Sequence, residues 1–172
     1  TRILDSGLPS DLREAGVTDV DIQLLAAAWH RRFLAFQPRS VLAPEAGLHL
    51  AKALLDLDAP EAAARQAHMS ASRAPDDPAL DALVFLESLA RSRQGRSQDA
   101  QRLLQKLAES TDWPTQGGGS GPASLRPDAR YALARLAEAS GRYEDAAEGY
   151  AEVRNHFAEV TEAREALVRV SL

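Results

Sequence analysis

The residues that could carry chemistry are few in this chain, and the histidines are the first to consider. They are His30, His49, His68 and His156. No two of them stand four residues apart on one predicted helix, and no acidic residue completes the HExxH arrangement of a zinc site. Cysteine is absent, which excludes a thiol nucleophile, disulfide bonds and cysteine-based metal sites. The spacing therefore favours imidazoles on helix surfaces and predicts no metal site.

The glycine-rich segment QGGGSGP at residues 116–122 is the second candidate. A phosphate-binding loop needs a strand before it and a Lys-Ser or Lys-Thr pair after it, and this segment has neither. No GxSxG nucleophile segment occurs elsewhere in the chain. Acidic pairs such as Asp76-Asp77 lie at predicted turns, where carboxylates satisfy free N–H groups. The sequence accordingly predicts a protein without catalytic activity and without a cofactor.

Composition places the chain among helical proteins. Ala and Leu dominate, and aromatic residues make up 5% of the 172 residues. The formal net charge of −5 argues against general nucleic-acid binding, which needs a basic face. The longest unbroken apolar run, residues 24–29, is far too short to span a membrane. We therefore expect a helical protein that neither binds nucleic acid nor inserts this segment into a membrane.

A helical hairpin is predicted at about residues 127–160. Leu133 and Leu136 recur at helical spacing, and Gly141 stands where the first helix must turn through a left-handed conformation. The second helix has its apolar residues at the same kind of spacing: Tyr143, Ala146, Ala147, Tyr150 and Val153. Two short helices joined by a tight turn lie antiparallel, and small residues such as Ala146 allow them to approach closely.

This hairpin resembles a tetratricopeptide repeat, a unit of two helices that stacks in tandem. The family's pattern has Leu beside a small residue, another small residue, a turning Gly, an aromatic, Ala and a second aromatic. The matching positions are Leu133-Ala134, Ala137, Gly141, Tyr143, Ala146 and Tyr150. The resemblance implies a helical scaffold that presents a surface to other proteins.

Two further hairpins fit the same template, at about residues 44–76 and 77–110, and residues 161–172 read as one more first helix. The positions are Leu50-Ala51, Leu54 and Asp58 in the earlier hairpin, and Leu83, Leu86, Ala90 and Gly95 in the later one. The later hairpin also reads as carrying one extra residue before its Gly. The predicted fold class is therefore all-α, with tandem hairpins over residues 44–172 forming a short right-handed solenoid like that of tetratricopeptide proteins.

Residues 1–43 do not fit the repeat and are predicted to form an N-terminal helical cap. The segment Thr18-Asp19-Val20-Asp21 resembles a capping box that starts a helix. The apolar stripe of this helix consists of Val20, Leu24, Leu25, Ala28, Trp29, Phe33 and Phe36. We expect the stripe to pack on the first hairpin and to place Trp29 in the core.

The glycine-rich segment separates the second and third hairpins. Gly95 and Gly141 stand 46 residues apart, whereas the repeat expects about 34. The excess falls within residues 111–126, which we interpret as a flexible spacer between repeats. A natural loop and an engineered replacement both fit this composition.

The resemblance also implies where a partner would bind, because the first helices of such repeats line a concave groove. The implied groove positions are Leu48, Lys52, Val84, Ser88, Arg91, Tyr131, Arg135, Glu165 and Arg169. Four of them are cations, which favours an acidic segment or a terminal carboxylate as the ligand. In the alternative interpretation the cations pair with acids one turn away, as Arg135 would with Glu138. The Asn residues by which family members clamp chaperone C-termini are missing here.

These observations predict a non-catalytic scaffold that binds a peptide or a partner protein within a larger bacterial assembly. The run YAEVRNHF at residues 150–157 resembles repeats of bacterial envelope assembly lipoproteins, which implies the periplasm or cell envelope, with the cytoplasm as the open alternative. Two other functions stay open. One is a regulatory or assembly domain of a larger enzyme or secretion machine, and the other is a structural subunit that self-associates at residue 172. The sequence does not define the oligomeric state.

Overall fold

The computed structural model of this chain describes residues 18–109 and 125–156, and these residues form seven α-helices and no strand. The helices are α1 (Asp19–Phe36), α2 (Ala43–Asp56), α3 (Pro60–Arg73), α4 (Leu80–Arg93), α5 (Ser97–Glu109), α6 (Arg126–Ala139) and α7 (Tyr143–His156). The prediction of an all-α chain with packed neighbouring helices is confirmed. Nearly all of the predicted spacer and the predicted final helix at 161–172 lie outside the described residues.

The chain divides into two compact units, which we call unit 1 (Thr1–Leu86) and unit 2 (Glu87–Leu172). Unit 1 contains α1 to α3 and the first turns of α4, whereas unit 2 contains the rest of α4 and α5 to α7.

Helix α1 begins at the predicted capping box. The Thr18 hydroxyl accepts a hydrogen bond from the Asp21 backbone N–H at 3.2 Å, and the Asp21 carboxylate accepts one from the Thr18 N–H at 2.8 Å. Two of the N–H groups that a helix leaves unsatisfied at its start are thereby satisfied. Hydrogen bonds from Thr18 also lower the pKa of the Asp21 carboxyl. The capping box is confirmed.

Unit 1 is built around α2, which packs against both α1 and α3. A cluster of fully buried residues, Ala51, Ala67 and Leu83, joins α2, α3 and the start of α4, and Leu48 and Leu86 pack against it. Small side chains at Ala51 and Ala67 let the helix backbones approach closely. The buried apolar surface of these helices, more than their intrinsic propensity, stabilises helices of this length.

Unit 2 has α6 packed between α5 and α7. Its core is also rich in Ala, with larger side chains contributed mainly by α5. The buried apolar residues are Ala90, Ala100, Leu104, Leu107, Ala108, Ala129, Ala134, Ala137, Ala146 and Val153. Gly149 of α7 lies so close to α6 that an added Cβ would stand 3.0 Å from the Cβ of Ala134.

Three turns of one geometry join α2 to α3, α4 to α5 and α6 to α7. Each has a residue of positive φ in the same place: Asp58 at 55°, Gly95 at 74° and Gly141 at 75°. In every turn this residue's N–H donates to the carbonyl three residues back, and the next N–H donates to the carbonyl five residues back. This pair of bonds is the Schellman helix ending, so the predicted roles of Gly95 and Gly141 are confirmed. Asp58 takes the left-handed conformation that Asp tolerates better than most side chains.

The shared turn corrects the predicted register of α4. Because the three turns match bond for bond, positions can be counted back from each of them, and no extra residue precedes Gly95. The positions held by Leu50, Ala51 and Leu54 in α2 belong to Glu87, Ser88 and Arg91 in α4. The predicted register followed the apolar residues Leu83, Leu86 and Ala90, whereas polar residues occupy the repeat positions in α4.

The predicted burial of the α1 stripe is also wrong. Trp29 is 60% exposed, Leu25 is 72% exposed and Phe36 is 75% exposed. The one fully buried residue of α1 is Ala27, on the opposite side of the helix. Helix α1 therefore packs on α2 through the side that carries Ala27 and leaves large apolar side chains on its outer face.

Candidate partner-binding surfaces

The groove positions predicted in unit 1 differ in accessibility. Lys52 is exposed on α2, whereas Leu48 is half-buried against the Ala51–Ala67–Leu83 cluster. Val84 is half-buried on α4. Of these three residues, Lys52 is the one whose side chain is largely open to a ligand.

Two groove positions predicted in unit 2 are poorly accessible. Ser88 has no exposed surface, and Arg91 bonds to the Glu87 carboxylate at 3.1 Å within the same helix. The Glu87 side chain is 7% exposed and that of Arg91 is 20% exposed. An ion pair this buried is held by the fold, so Ser88 and Arg91 offer little to a partner.

Tyr131 and Arg135, the other groove positions predicted in unit 2, lie in one cluster on α6 and α7. The rings of Tyr131 and Tyr150 are 5.5 Å apart, and the Tyr150 hydroxyl donates to the Glu138 carboxylate at 2.7 Å. Arg135 is 63% exposed, with its Nε 3.8 Å from Glu138. The pairing of Arg135 with Glu138, foreseen as the alternative to partner binding, is therefore present.

We call this group of residues the Tyr–Arg cluster (Tyr131, Arg135, Glu138 and Tyr150). Its contacts stabilise the protonated forms of Arg135 and Tyr150. A hydrogen bond with the Tyr131 phenol raises the pKa of Arg135, followed by attraction to the neighbouring groups. Burial, and then the hydrogen bond to Glu138, raise the pKa of the Tyr150 phenol far above its ordinary value. Arg135 is thus kept as a cation and Tyr150 as a neutral phenol. Arg169 and Glu165 lie outside the described residues.

A surface that the sequence did not predict is the outer face of α1, formed by Leu25, Trp29, Phe33 and Phe36. The rings of Trp29 and Phe33 stack at 5.7 Å, and the Arg32 guanidinium lies 5.7 Å from the centre of the Phe36 ring. Leu25, Trp29 and Phe36 are mostly exposed. Three large apolar side chains open to water on one helix are typical of an interaction surface. The stripe is visible in the sequence, but the sequence predicts that it packs on the first hairpin, whereas its large side chains are exposed.

Unit 1 also contains an open pocket of about 550 Å³ beside the connection between α1 and α2. Arg39 from the connection and Arg73 from the end of α3 both line it. A smaller pocket of about 180 Å³ lies between α5, α6 and α7 in unit 2, where Arg130 is ion-paired with Glu152. No sequence pattern pointed to either pocket, because the residues of each come from separate segments of the chain.

The histidines do not form a metal centre in the described part of the chain. His30 on α1 and His49 on α2 stack with ring centres 5.4 Å apart, and the Glu45 carboxylate stands 3.8 Å from His49. Within residues 18–109 and 125–156, no group of three or more His, Asp or Glu side chains has the arrangement of a metal site. No helix in these residues has the length and apolar character needed to cross a membrane.

Comparison with known proteins adds no further assignment. No family model matches the chain, and no curated protein or solved structure was found to be similar to it.

Proposed function

We propose that this chain is a non-catalytic scaffold that binds a partner protein or peptide, with hairpins stacked as in tetratricopeptide proteins. The observation that carries the proposal is the outer face of α1. Leu25, Trp29 and Phe36 stay exposed on this face although α1 packs well on α2. Exposure of such side chains costs solubility without stabilising the fold, so a surface that keeps them is best explained by a ligand that covers them.

The chemistry of this face is that of a protein interface. Trp and Arg are enriched among the residues that dominate binding energy, and both are present here in Trp29 and Arg32. Stacking of Trp29 on Phe33 limits the rotamers of both rings, which lowers the entropy lost when a partner binds. The partner expected for such a face is an amphipathic helix or an apolar patch of a folded protein.

The Tyr–Arg cluster is a second element of the proposal. Arg135 remains mostly exposed while it pairs with Glu138, and exposed pairs of this kind exchange readily with a stronger anionic ligand. An acidic segment or a terminal carboxylate is the ligand that fits Arg135 and the Tyr131 phenol. Lys52 stays in the proposed set, whereas Ser88 leaves it because it is buried and Arg91 because it is half-buried in an ion pair with Glu87.

The wider setting is also proposed from the sequence. Resemblance to envelope assembly lipoproteins supports a role in a bacterial envelope assembly. Self-association is the alternative that one observation favours, since α1 carries Asp19 and Asp21 at its start and Arg31 and Arg32 near its end. Two copies of α1 packed antiparallel would bring these opposite charges together across their apolar faces.

The test is capture of partners from an extract of the source organism with the wild type, Trp29→Ala and the control Tyr143→Ala. Tyr143 is 71% exposed on α7, so the control removes an exposed aromatic of the other unit. We expect Trp29→Ala to weaken binding of the captured protein about tenfold or more, because central aromatic anchors dominate interfaces. Sedimentation of the purified chain at several concentrations detects self-association. Equal binding by all three proteins, with a monomer at every concentration, would refute the proposed role of the α1 face.

A further inference from the structure

The pocket in unit 1 is the feature of the molecule that the proposed function leaves unused. Its volume of about 550 Å³ lies within the range of sites that bind small organic ligands. Leu34 of α1, Pro44 at the start of α2 and Ala74 after α3 give it apolar walls. Two segments of the chain, residues 34–44 and 70–74, meet there, and each supplies part of the wall.

The charge of the pocket is of one sign. Arg39 and Arg73 both line it, and none of the residues that line it is acidic. Among the residues that the structure describes, neither guanidinium has an ion pair or a hydrogen bond. Of the acids near the pocket residues in sequence, Glu45 lies 3.8 Å from His49 and the Asp77 carboxylate accepts the Ala79 N–H at 2.8 Å.

One further donor and the start of a helix face the same space. The Ser70 hydroxyl is almost fully buried and accepts a hydrogen bond from the Gln66 side chain at 3.0 Å, so its own hydrogen can be donated to a ligand. Helix α2 starts at the pocket with Pro44 in its first turn and has no side-chain cap. The positive end of its dipole therefore adds to the two guanidiniums.

From this arrangement we propose that the pocket binds an organic carboxylate with a short apolar body. A guanidinium matches the planar geometry of a carboxylate and donates two parallel hydrogen bonds to it. Arg39 and Arg73 would hold the carboxylate, while Leu34, Pro44 and Ala74 would contact the apolar body. The C-terminal residue of a peptide and a free aliphatic acid both have this chemistry. No residue of the outer face of α1 lines the pocket, so this site is independent of the proposed scaffold function.

The experiment is an NMR titration of the isotope-labelled chain with acetyl-Ala-Leu carrying a free carboxylate. The same peptide as its amide, 4-methylpentanoate and inorganic phosphate serve as comparison probes. We expect shifts at Arg39, Ser40 and Arg73 with the free peptide and none with the amide. Tighter binding of the peptide than of 4-methylpentanoate identifies a peptide terminus as the ligand, and equal binding identifies a free acid.

Variants make the assignment specific. Arg39→Gln and Arg73→Gln should each weaken binding of the probe about tenfold or more, the loss expected for one charge-assisted hydrogen bond. Arg65→Gln is the matched control, because Arg65 is exposed on the same helix as Arg73 and does not line the pocket. The site is refuted if the amide binds as well as the acid, if phosphate competes as strongly as the peptide, or if Arg65→Gln weakens binding as much as Arg73→Gln. Absence of any shift up to the solubility limit of the probe refutes it as well.

Discussion

The α2–α3 hairpin of unit 1 and the α6–α7 hairpin of unit 2 have the same turn and different contents. Equivalent positions stand 83 residues apart, the separation of Asp58 and Gly141. Leu48 and Ala67 of the first hairpin belong to an apolar cluster, whereas their counterparts Tyr131 and Tyr150 bring two tilted aromatic rings with polar ends into contact. One backbone ending thus supports an apolar contact in one unit and a polar one in the other.

The helices of the two hairpins also approach each other at different places. In the first, Gly47 allows Ser70 so close that an added Cβ would lie 2.0 Å from the Ser70 hydroxyl oxygen. The position of Gly47 belongs to Arg130 in the third hairpin, and Arg130 is ion-paired with Glu152 there. A large side chain fits at that position because the close approach has moved to Gly149.

The comparison shows which residues define the hairpin. A residue with positive φ in the turn and a buried Ala five residues later recur in all three hairpins, the Ala being Ala63, Ala100 and Ala146. Contacts nearer the open ends of the helices vary in chemistry and size. The turn and this Ala are common to the three hairpins, and the remaining pairs have to complement one another only locally.

The buried pair in α4 gives the largest expected effect. Glu87→Ala leaves Arg91 mostly buried without this carboxylate, which should lower the free energy of unfolding by about 3–5 kcal/mol. The measurement is urea denaturation followed by helical circular dichroism.

The double variant Glu87→Leu with Arg91→Leu sharpens the comparison, because it gives α4 the residue type that α2 has at Leu50 and Leu54. Replacement of a buried ion pair by apolar residues is often neutral or stabilising, so we expect it to recover most of the loss. If the single variant costs less than about 1 kcal/mol, the pair behaves as an exposed one and the assigned register of α4 is wrong.

The recurring Ala gives an intermediate effect. Ala63→Leu in unit 1 and Ala146→Leu in unit 2 should each overpack the hairpin and cost about 1–3 kcal/mol. Ala147→Leu is the control, since Ala147 is exposed on the same helix as Ala146 and should accept Leu with little change. A neutral result at Ala146 together with a loss at Ala63 would show that the two hairpins meet differently despite their shared turn.

Much of the fold could be predicted from local signals. Gly95, Gly141 and the capping box at Thr18 were predictable because each acts through bonds to residues within one turn. The outer face of α1 was not, because α1 has apolar residues on several sides and hydrophobicity alone does not say which side meets α2. Side-chain size accounts for which side is buried. Ala27 on the buried side allows close packing, whereas Trp29 would hold the helices apart.

The candidate sites were less predictable than the fold. Part of the Tyr–Arg cluster was predictable, because Arg135 and Glu138 are one turn apart on a predicted helix. The polar register of α4 was missed, since a buried Glu87–Arg91 pair looks like exposed charge in a sequence. The pocket of Arg39 and Arg73 depends on segments that only folding brings together.

The smallest expected effect concerns His30, a half-buried residue whose Nδ1 is the one buried side-chain nitrogen or oxygen of the described residues without a hydrogen-bond partner. Burial, and then repulsion from His49, lower the pKa of His30 below its ordinary value of 6.5. Between that lower pKa and 6.5 the unfolded chain binds more protons than the folded chain, so the stability contributed above 6.5 is lost as the pH falls through this window.

The measurement is the urea midpoint of the wild type, His30→Leu and the control His68→Gln, at about pH 7.5 and about pH 5.5. His68 is exposed on α3, so its variant should keep the wild-type loss of stability on acidification. His30→Leu should show a smaller loss, because a neutral side chain removes both the buried charge and its repulsion from His49, the titratable group stacked on it from α2. The same loss in all three proteins would show that His30 becomes protonated without disturbing the contact between α1 and α2. The loss of stability in acid would then come from the carboxylates, as it does in most proteins.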